Sequence, residues 1–180
     1  MLFALTRQYR PGHRETLGHL ALITKVHQEE PHMAEHSGSC RKRVAYCNCG
    51  SVRATTVGEP ITVATCFCEE CQRRTGSAFG ISTYWMQANV ELSGSVTRYV
   101  REGQEERKVT YYFCPKCGSS VYWVLDRRPQ IGISGGSFFD PNFPAPTRSV
   151  WERSKPSWIT IPEAEHFAQN PPPPPPPRQN

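Results

Sequence analysis

Seven of the eight cysteines in this chain stand in three tight groups: Cys47-Asn48-Cys49-Gly50, Cys66-Phe67-Cys68-Glu69-Glu70-Cys71 and Cys114-Pro115-Lys116-Cys117-Gly118. Pairs two or three residues apart cannot all be local disulfides, and an odd total leaves one sulfur over. Eight cysteines in 180 residues also fall short of the ~8 to 10% at which a short chain reads as a disulfide scaffold. Metal binding is the reading that remains. In the C-P-x-C-G group the proline fixes one φ and the glycine permits a tight return, so that both thiolates reach one ion.

Counting divides the seven. A closed structural zinc takes four ligands in a tetrahedron, and a catalytic zinc commonly takes three and keeps one position open. The outer pairs, Cys47 with Cys49 and Cys114 with Cys117, supply a closed site. The middle group, Cys66, Cys68 and Cys71, supplies three thiolates within six residues and an open position. Two zinc ions per chain are expected. Cys40 is a second candidate for the partner of Cys49 if residues 41–47 are an insertion, whereas adjacent C-x-C geometry costs less loop ordering and favours Cys47.

Between the tails the chain reads as short strands rich in β-branched and aromatic residues, at 52–57, 61–66, 79–85, 90–92, 96–100, 109–113, 121–125, 131–133 and 158–161, punctuated by turn residues. The expected fold is a compact, zinc-bound, mostly β and mostly antiparallel module spanning 40–167 with disordered tails. Ser93-Gly94 predicts a hairpin turn, and the proline-rich stretch 140–146 a fixed loop. Residues 1–39 hold five of the six histidines without metal-ligand spacing. They are read as an N-terminal extension, either disordered or upstream of the native start at Met33. Residues 168–180 end in seven consecutive prolines followed by Arg178-Gln179-Asn180, an expected polyproline II tail.

Charge adds little. The net +5 and pI near 8.8 come from scattered basic groups at Arg41 to Arg43, Arg73-Arg74, Arg107-Lys108 and Arg127-Arg128, a pattern of solvated surface that would also suit a small acidic substrate. No apolar run approaches the ~18 to 20 residues of a membrane-spanning helix, so no membrane partner is expected. Arg7, Arg10 and Arg14 ahead of the first acid, Glu15, faintly resemble a mitochondrial transit peptide. With little serine and no amphipathic face there, a cytoplasmic location is the first expectation.

The ordered motifs C-x-C-G-x-V-R at 47–53, C-x-C-x-x-C-x-x-x-x-G-S at 66–77 and F-C-x-x-C-G-S at 113–119 resemble the glutathione-dependent formaldehyde-activating enzymes, whose domain is shared with centromere protein V. The resemblance continues through Gly135-Gly136-Ser137-Phe138 and Lys155 to Trp158, and covers residues 47–167. It implies an all-β zinc module of the β-tent type, the same four-plus-three sharing of cysteines, and glutathione as co-substrate. The chain departs from the family's pattern at Phe67 and Ser149, where histidine is usual, and at Gln72, where arginine is common. These changes spare the ligands and touch the residues that orient them.

The function expected is therefore that of a carbon–sulfur lyase or synthase, adding a small thiol to formaldehyde or a related carbonyl at the open three-cysteine zinc. Two other classes compete with it. One is a zinc-stabilised nucleic-acid or chromatin module using the arginine groups with Tyr111, Tyr112 and Trp123. The other is a structural zinc domain that binds proteins through its polyproline tail. Oligomeric state is not legible.

Overall fold

Strand β1 (Lys42–Tyr46) alternates exposed and buried residues, with Arg43 and Ala45 turned inward. In the computed structural model, which describes residues 41–102, 108–162 and 164–172, β1 pairs antiparallel with β2 (Arg53–Val57), Ala45 lying opposite Ala54. The stretch 41–47, weighed above as an insertion, is thus a strand and the turn that follows it. Strand β5 (Val90–Ser93) completes a three-stranded sheet on the other side of β2.

The remaining strands form one eight-stranded sheet: β3 (Thr62–Cys66), β4 (Gly80–Met86), β6 (Thr97–Glu102), β7 (Lys108–Phe113), β8 (Ser120–Leu125), β9 (Gln130–Ser134), β10 (Arg148–Val150) and β11 (Glu165–His166), in the order β11-β10-β3-β4-β9-β8-β7-β6. Mostly β is therefore the architecture, but it is mixed at one end. β10 runs parallel to β3 and to β11. Parallel neighbours need long connections, which is why three-residue β10, so far from β3 in sequence, gave no local signal.

Two expectations are corrected, and one element appears that was not expected. Ser93-Gly94 does not close a hairpin, because β5 and β6 belong to different sheets. Gly94 instead sits at φ +94°, where an added Cβ would lie 2.0 Å from the Ser51 carbonyl oxygen; it is a crossing point against the β1–β2 turn. Residues 158–161 are no strand. Pro156 and Pro162 flank them, Ile159 N–H donates back to the Pro156 carbonyl in a turn, and Trp158 is 77% exposed. Residues 69–75, given no structure above, form the short helix α1 (Glu69–Thr75), ended by Gly76 at φ 62°.

The core lies between the sheets. Ala45 and Ala54 of the small sheet meet Trp85, Val121, Tyr122, Ile131, Ile133 and Phe138. Register shifts where β7 meets β8, Phe113 facing Ser120 while Tyr112 faces Tyr122, so Val121 is the extra residue of a β-bulge. Both Val121 and Tyr122 consequently reach the core. Beyond the bulge, alternation sends Tyr111, Trp123 and Tyr84 to the opposite face of the large sheet, where they line a pocket.

Candidate functional site

The four outer cysteines occupy two turns built on one plan. Cys47 and Cys49 lie in the β1–β2 turn, Cys114 and Cys117 in the β7–β8 turn. Gly50 N–H donates to the Cys47 carbonyl at 2.8 Å, and Gly118 N–H to the Cys114 carbonyl at 2.9 Å. Both glycines have φ near +70°, at 74° and 72°, where a side chain would be strained. The Cys47 and Cys114 N–H groups return to the carbonyls of Val52 and Ser119, each at 3.0 Å. Asn48 N–H donates to Ser119 Oγ at 3.1 Å and so joins one turn to the other.

All four sulfurs lie within 4.8 Å of one another. Cys49 Sγ stands 3.6 Å from both Cys47 Sγ and Cys114 Sγ. Four sulfurs on a tetrahedral zinc at ~2.3 Å are about 3.8 Å apart, so the donor set suits that ion. Val52 N–H donates to Cys47 Sγ at 3.2 Å. The Ser119 hydroxyl, 3.3 Å from Cys117 Sγ, is the main cause holding that thiol down at about 5. The Ser51 hydroxyl lowers Cys49 in the same way.

The middle group is assembled locally. Cys66 ends β3, Cys68 is the N-cap residue of α1 and Cys71 lies within α1; their sulfurs also fall within 4.8 Å of one another. The three thiols are unequal. The Cys66 and Cys68 sulfurs, then the Arg74 guanidinium, hold Cys71 down at about 3, whereas the Cys68 and Cys71 sulfurs and burial push Cys66 up. Among the described residues the structure therefore brings the seven cysteines together in the two sequence-predicted groups, with Cys47 beside Cys49. Cys40 lies outside the described residues.

The three departures from the family's pattern now have a physical account. Phe67 is fully buried against Phe79, ring centroids 5.6 Å apart, and does not line the pocket that Cys66 and Cys68 line. Gln72 Nε2 donates to the Phe67 carbonyl at 2.7 Å and to the Ser154 carbonyl at 3.3 Å, clamping α1 to the loop after β10. Ser149, also fully buried, donates its hydroxyl to Glu152 Oε1 at 2.5 Å.

Cys66, Cys68 and Cys71 form one wall of a pocket of about 930 Å³, within the range of small-molecule sites. The facing wall is aromatic, with Tyr84 edge-on to Trp123 and Tyr111 tilted against it. Gly132 permits this, because a Cβ there would fall 2.2 Å from the Trp123 indole. Arg74 lies over Trp123 at 4.7 Å and Tyr111 at 5.6 Å, and Arg101, Arg128 and Arg148 also line the space. Burial, reinforced by the charge of Cys71, pushes the Tyr84 phenol up to about 12, so Oη keeps its proton at neutral pH. Sequence reasoning missed Arg74, Tyr84 and Arg101 here. Tyr111 and Trp123, grouped above with Tyr112 on a nucleic-acid surface, were separable from it by alternation: they are cross-strand partners in the pocket, whereas Tyr112 stacks on Tyr122 at 4.7 Å on the core side.

A small mixed-β protein with one four-thiol and one three-thiol cluster, the latter in a pocket, defines a class of cysteine-rich β enzymes compatible with zinc. The family description "Glutathione-dependent formaldehyde-activating enzyme" matches residues 30–154, and the chain belongs to that family. Its activity class is accordingly that of a carbon–sulfur lyase or synthase. A Halomonas elongata protein named "Putative glutathione-dependent formaldehyde-activating enzyme" is 28% identical over 135 residues, 66% of this chain and 80% of that protein. A crystal structure of a Rhodobacter sphaeroides protein is similar at 21% identity and TM-score 0.43, covering 55% of this chain and 90% of the other. Among the described residues no helix is long and apolar enough to cross a membrane.

Proposed function

We propose that this protein joins glutathione or a closely related thiol to formaldehyde at Cys66, Cys68 and Cys71, with one zinc held there and a second, structural zinc held by Cys47, Cys49, Cys114 and Cys117. The observation that carries this reading is the convergence of three sulfurs from six consecutive residues on the wall of a large pocket. Zinc bound by three thiolates would lower the pKa of an incoming thiol and present it as the nucleophile. In the reaction the sulfur–carbon bond forms, the carbonyl π pair moves to oxygen, and the proton lost by the thiol ends on that oxygen, giving an S-hydroxymethyl thiol. The reverse reaction breaks the same carbon–sulfur bond.

The chain's own residues bind and orient. Tyr84, Tyr111 and Trp123 exclude water from one side of the sulfurs, while the arginines at the rim favour an anionic thiol. Tyr84 Oη holds a proton at neutral pH and can donate a hydrogen bond to developing negative charge. The test is the rate of glutathione addition to formaldehyde by the zinc-loaded protein, after subtraction of the uncatalysed addition. A rate above background supports the reading, and no rate above background with any small thiol overturns it.

A further inference from the structure

An edge strand invites pairing by another chain unless it is very short, bulged, interrupted by proline or carries a charge turned inward. Among the described residues β11 ends the large sheet with two residues, and β1, at one edge of the small sheet, turns Arg43 inward. β6, the opposite edge of the large sheet, has no such defence. It runs for six residues without proline, pairs with β7 in unbroken register from Thr97 to Glu102, and meets no strand on its outer side among the described residues. Tyr99 is 60% exposed and Val100 46% exposed. Neither the Arg98 guanidinium nor the Glu102 carboxylate is in an ion pair with a described residue.

The sequence of β6, Thr97-Arg98-Tyr99-Val100-Arg101-Glu102, is complementary to itself in one antiparallel register. With Val100 opposite Val100 of a second copy, Arg98 faces the partner's Glu102, Glu102 faces the partner's Arg98, and Tyr99 faces the partner's Arg101. Those pairs set opposite charges side by side and bring a guanidinium to an aromatic ring. A shift by one residue sets Arg98 against the partner's Arg101 in one direction, and Glu102 against the partner's Tyr99 in the other. A shift by two sets Tyr99 or Arg101 against its own copy. None of these brings an acid opposite a base, and like charges directly opposite are destabilising.

We propose that β6 is a homodimer interface, in which residues 98–102 of two copies pair antiparallel about Val100 and join the two large sheets edge to edge. The pairing reaches the pocket as well as the sheet. Tyr99 lies opposite Tyr111 and Arg101 opposite Val109 on β7, and Arg101, Val109 and Tyr111 all line the pocket at the three-cysteine cluster. Arg101 stacks on Tyr111 at 5.8 Å and stands 3.8 Å from Glu70. The partner's Tyr99 therefore comes to rest beside a pocket residue, and each copy supplies one aromatic ring to the rim of the other's pocket. Nothing in this interface depends on the chemistry performed at the sulfurs.

Sedimentation equilibrium of the whole chain, under reducing conditions that exclude cross-linking by disulfides, should give about twice the 20.4 kDa of one chain. Glu102→Arg turns two ion pairs into two like-charge contacts and should weaken the dimer at least about tenfold. Val100→Lys, which sets two ammonium groups against each other at the centre, should weaken it as well. Adding Arg98→Glu to Glu102→Arg exchanges the charges and should restore the dimer. Residues 98, 100 and 102 are exposed or partly exposed, so each variant should keep its thermal transition by circular dichroism. Amide exchange at 97–102 should slow as the concentration rises. A chain that stays monomeric up to about 0.1 mM, or a dimer that is indifferent to both single changes or is not restored by the charge exchange, overturns the interface. A monomer with slow exchange at 97–102 overturns it too, and would show another segment of the chain on that edge.

Discussion

The two cysteine clusters differ less in chemistry than in how far the chain travels to make them. Cys49 and Cys114 stand 65 positions apart yet place their sulfurs 3.6 Å from each other, whereas Cys66, Cys68 and Cys71 are gathered by the end of one strand and the start of one helix. A metal at the first cluster would close a long loop and fasten the small sheet to the large one. A metal at the second closes almost nothing, because β3 is already held on both sides by β4 and β10. On the proposed function, ligand number and loop length, rather than ligand type, would sort the structural ion from the reactive one.

The harshest way to break this comparison is Cys117→Ser. Metal-binding free energy is folding free energy in a small zinc module, so loss of this ligand should cost several kcal/mol out of a domain stability of ~5–15 kcal/mol. The expected result is a broadened or missing thermal transition by circular dichroism, and a normal transition would refute the structural role. Cys68→Ser should behave oppositely. It should keep its thermal transition while zinc content falls from about two per chain toward one, and thiol addition above background should vanish. A weak chelator given to the wild type should likewise remove one equivalent well before the fold is lost.

A smaller effect sharpens the description of the second cluster's pocket. Gly132→Ala places a methyl group against the Trp123 indole, which must shift within the pocket it lines. Overpacking of this kind costs about 1 to 3 kcal/mol. The melting temperature should fall, tryptophan emission should shift, and KM for the thiol should change while zinc content at both clusters stays as in the wild type.

The smallest expected effect lies behind β3, where Glu152 is held. Burial there works against its charge, but the Ser149 hydroxyl and the His166 ring outweigh it, and the carboxyl lies below its ordinary range. A carboxyl lowered by folding adds stability that is fully present above its unfolded value of about 4.3 and is lost as pH falls through the folded value. Glu152→Gln should therefore lower the melting temperature slightly at neutral pH and flatten its decline below about pH 4. A wild-type curve and a variant curve that run parallel in acid would show that Glu152 does not stabilise this end of the sheet.

What the sequence disclosed follows from the range over which each feature is encoded. The two sulfur groups were legible because each turn carries its own signature, and the central strands because β-branched and aromatic runs alternate locally. Val121 was legible as a strand residue but not as a bulge, since a bulge exists only against the partner strand. β10 and β11 were hidden for the same reason: three and two residues bear no pattern, and their pairing is supplied from β3. Arg74 was seen as part of a charged pair, yet its place in the pocket depends on Tyr111 and Trp123, which arrive from strands dozens of residues away.

β3 carries Cys66, and β10, its parallel neighbour, lies more than eighty residues later in the sequence. During synthesis from the amino end, every sulfur of both clusters emerges before residues 148–150 can flank that strand. The cysteines are thus made available to metal ahead of the last wall of the pocket, and the order of manufacture runs from ion sites to enclosure. A nascent chain could bring its four-sulfur cluster together while the pocket at Cys66, Cys68 and Cys71 still lay open along one edge, its lining complete only after β10 had docked.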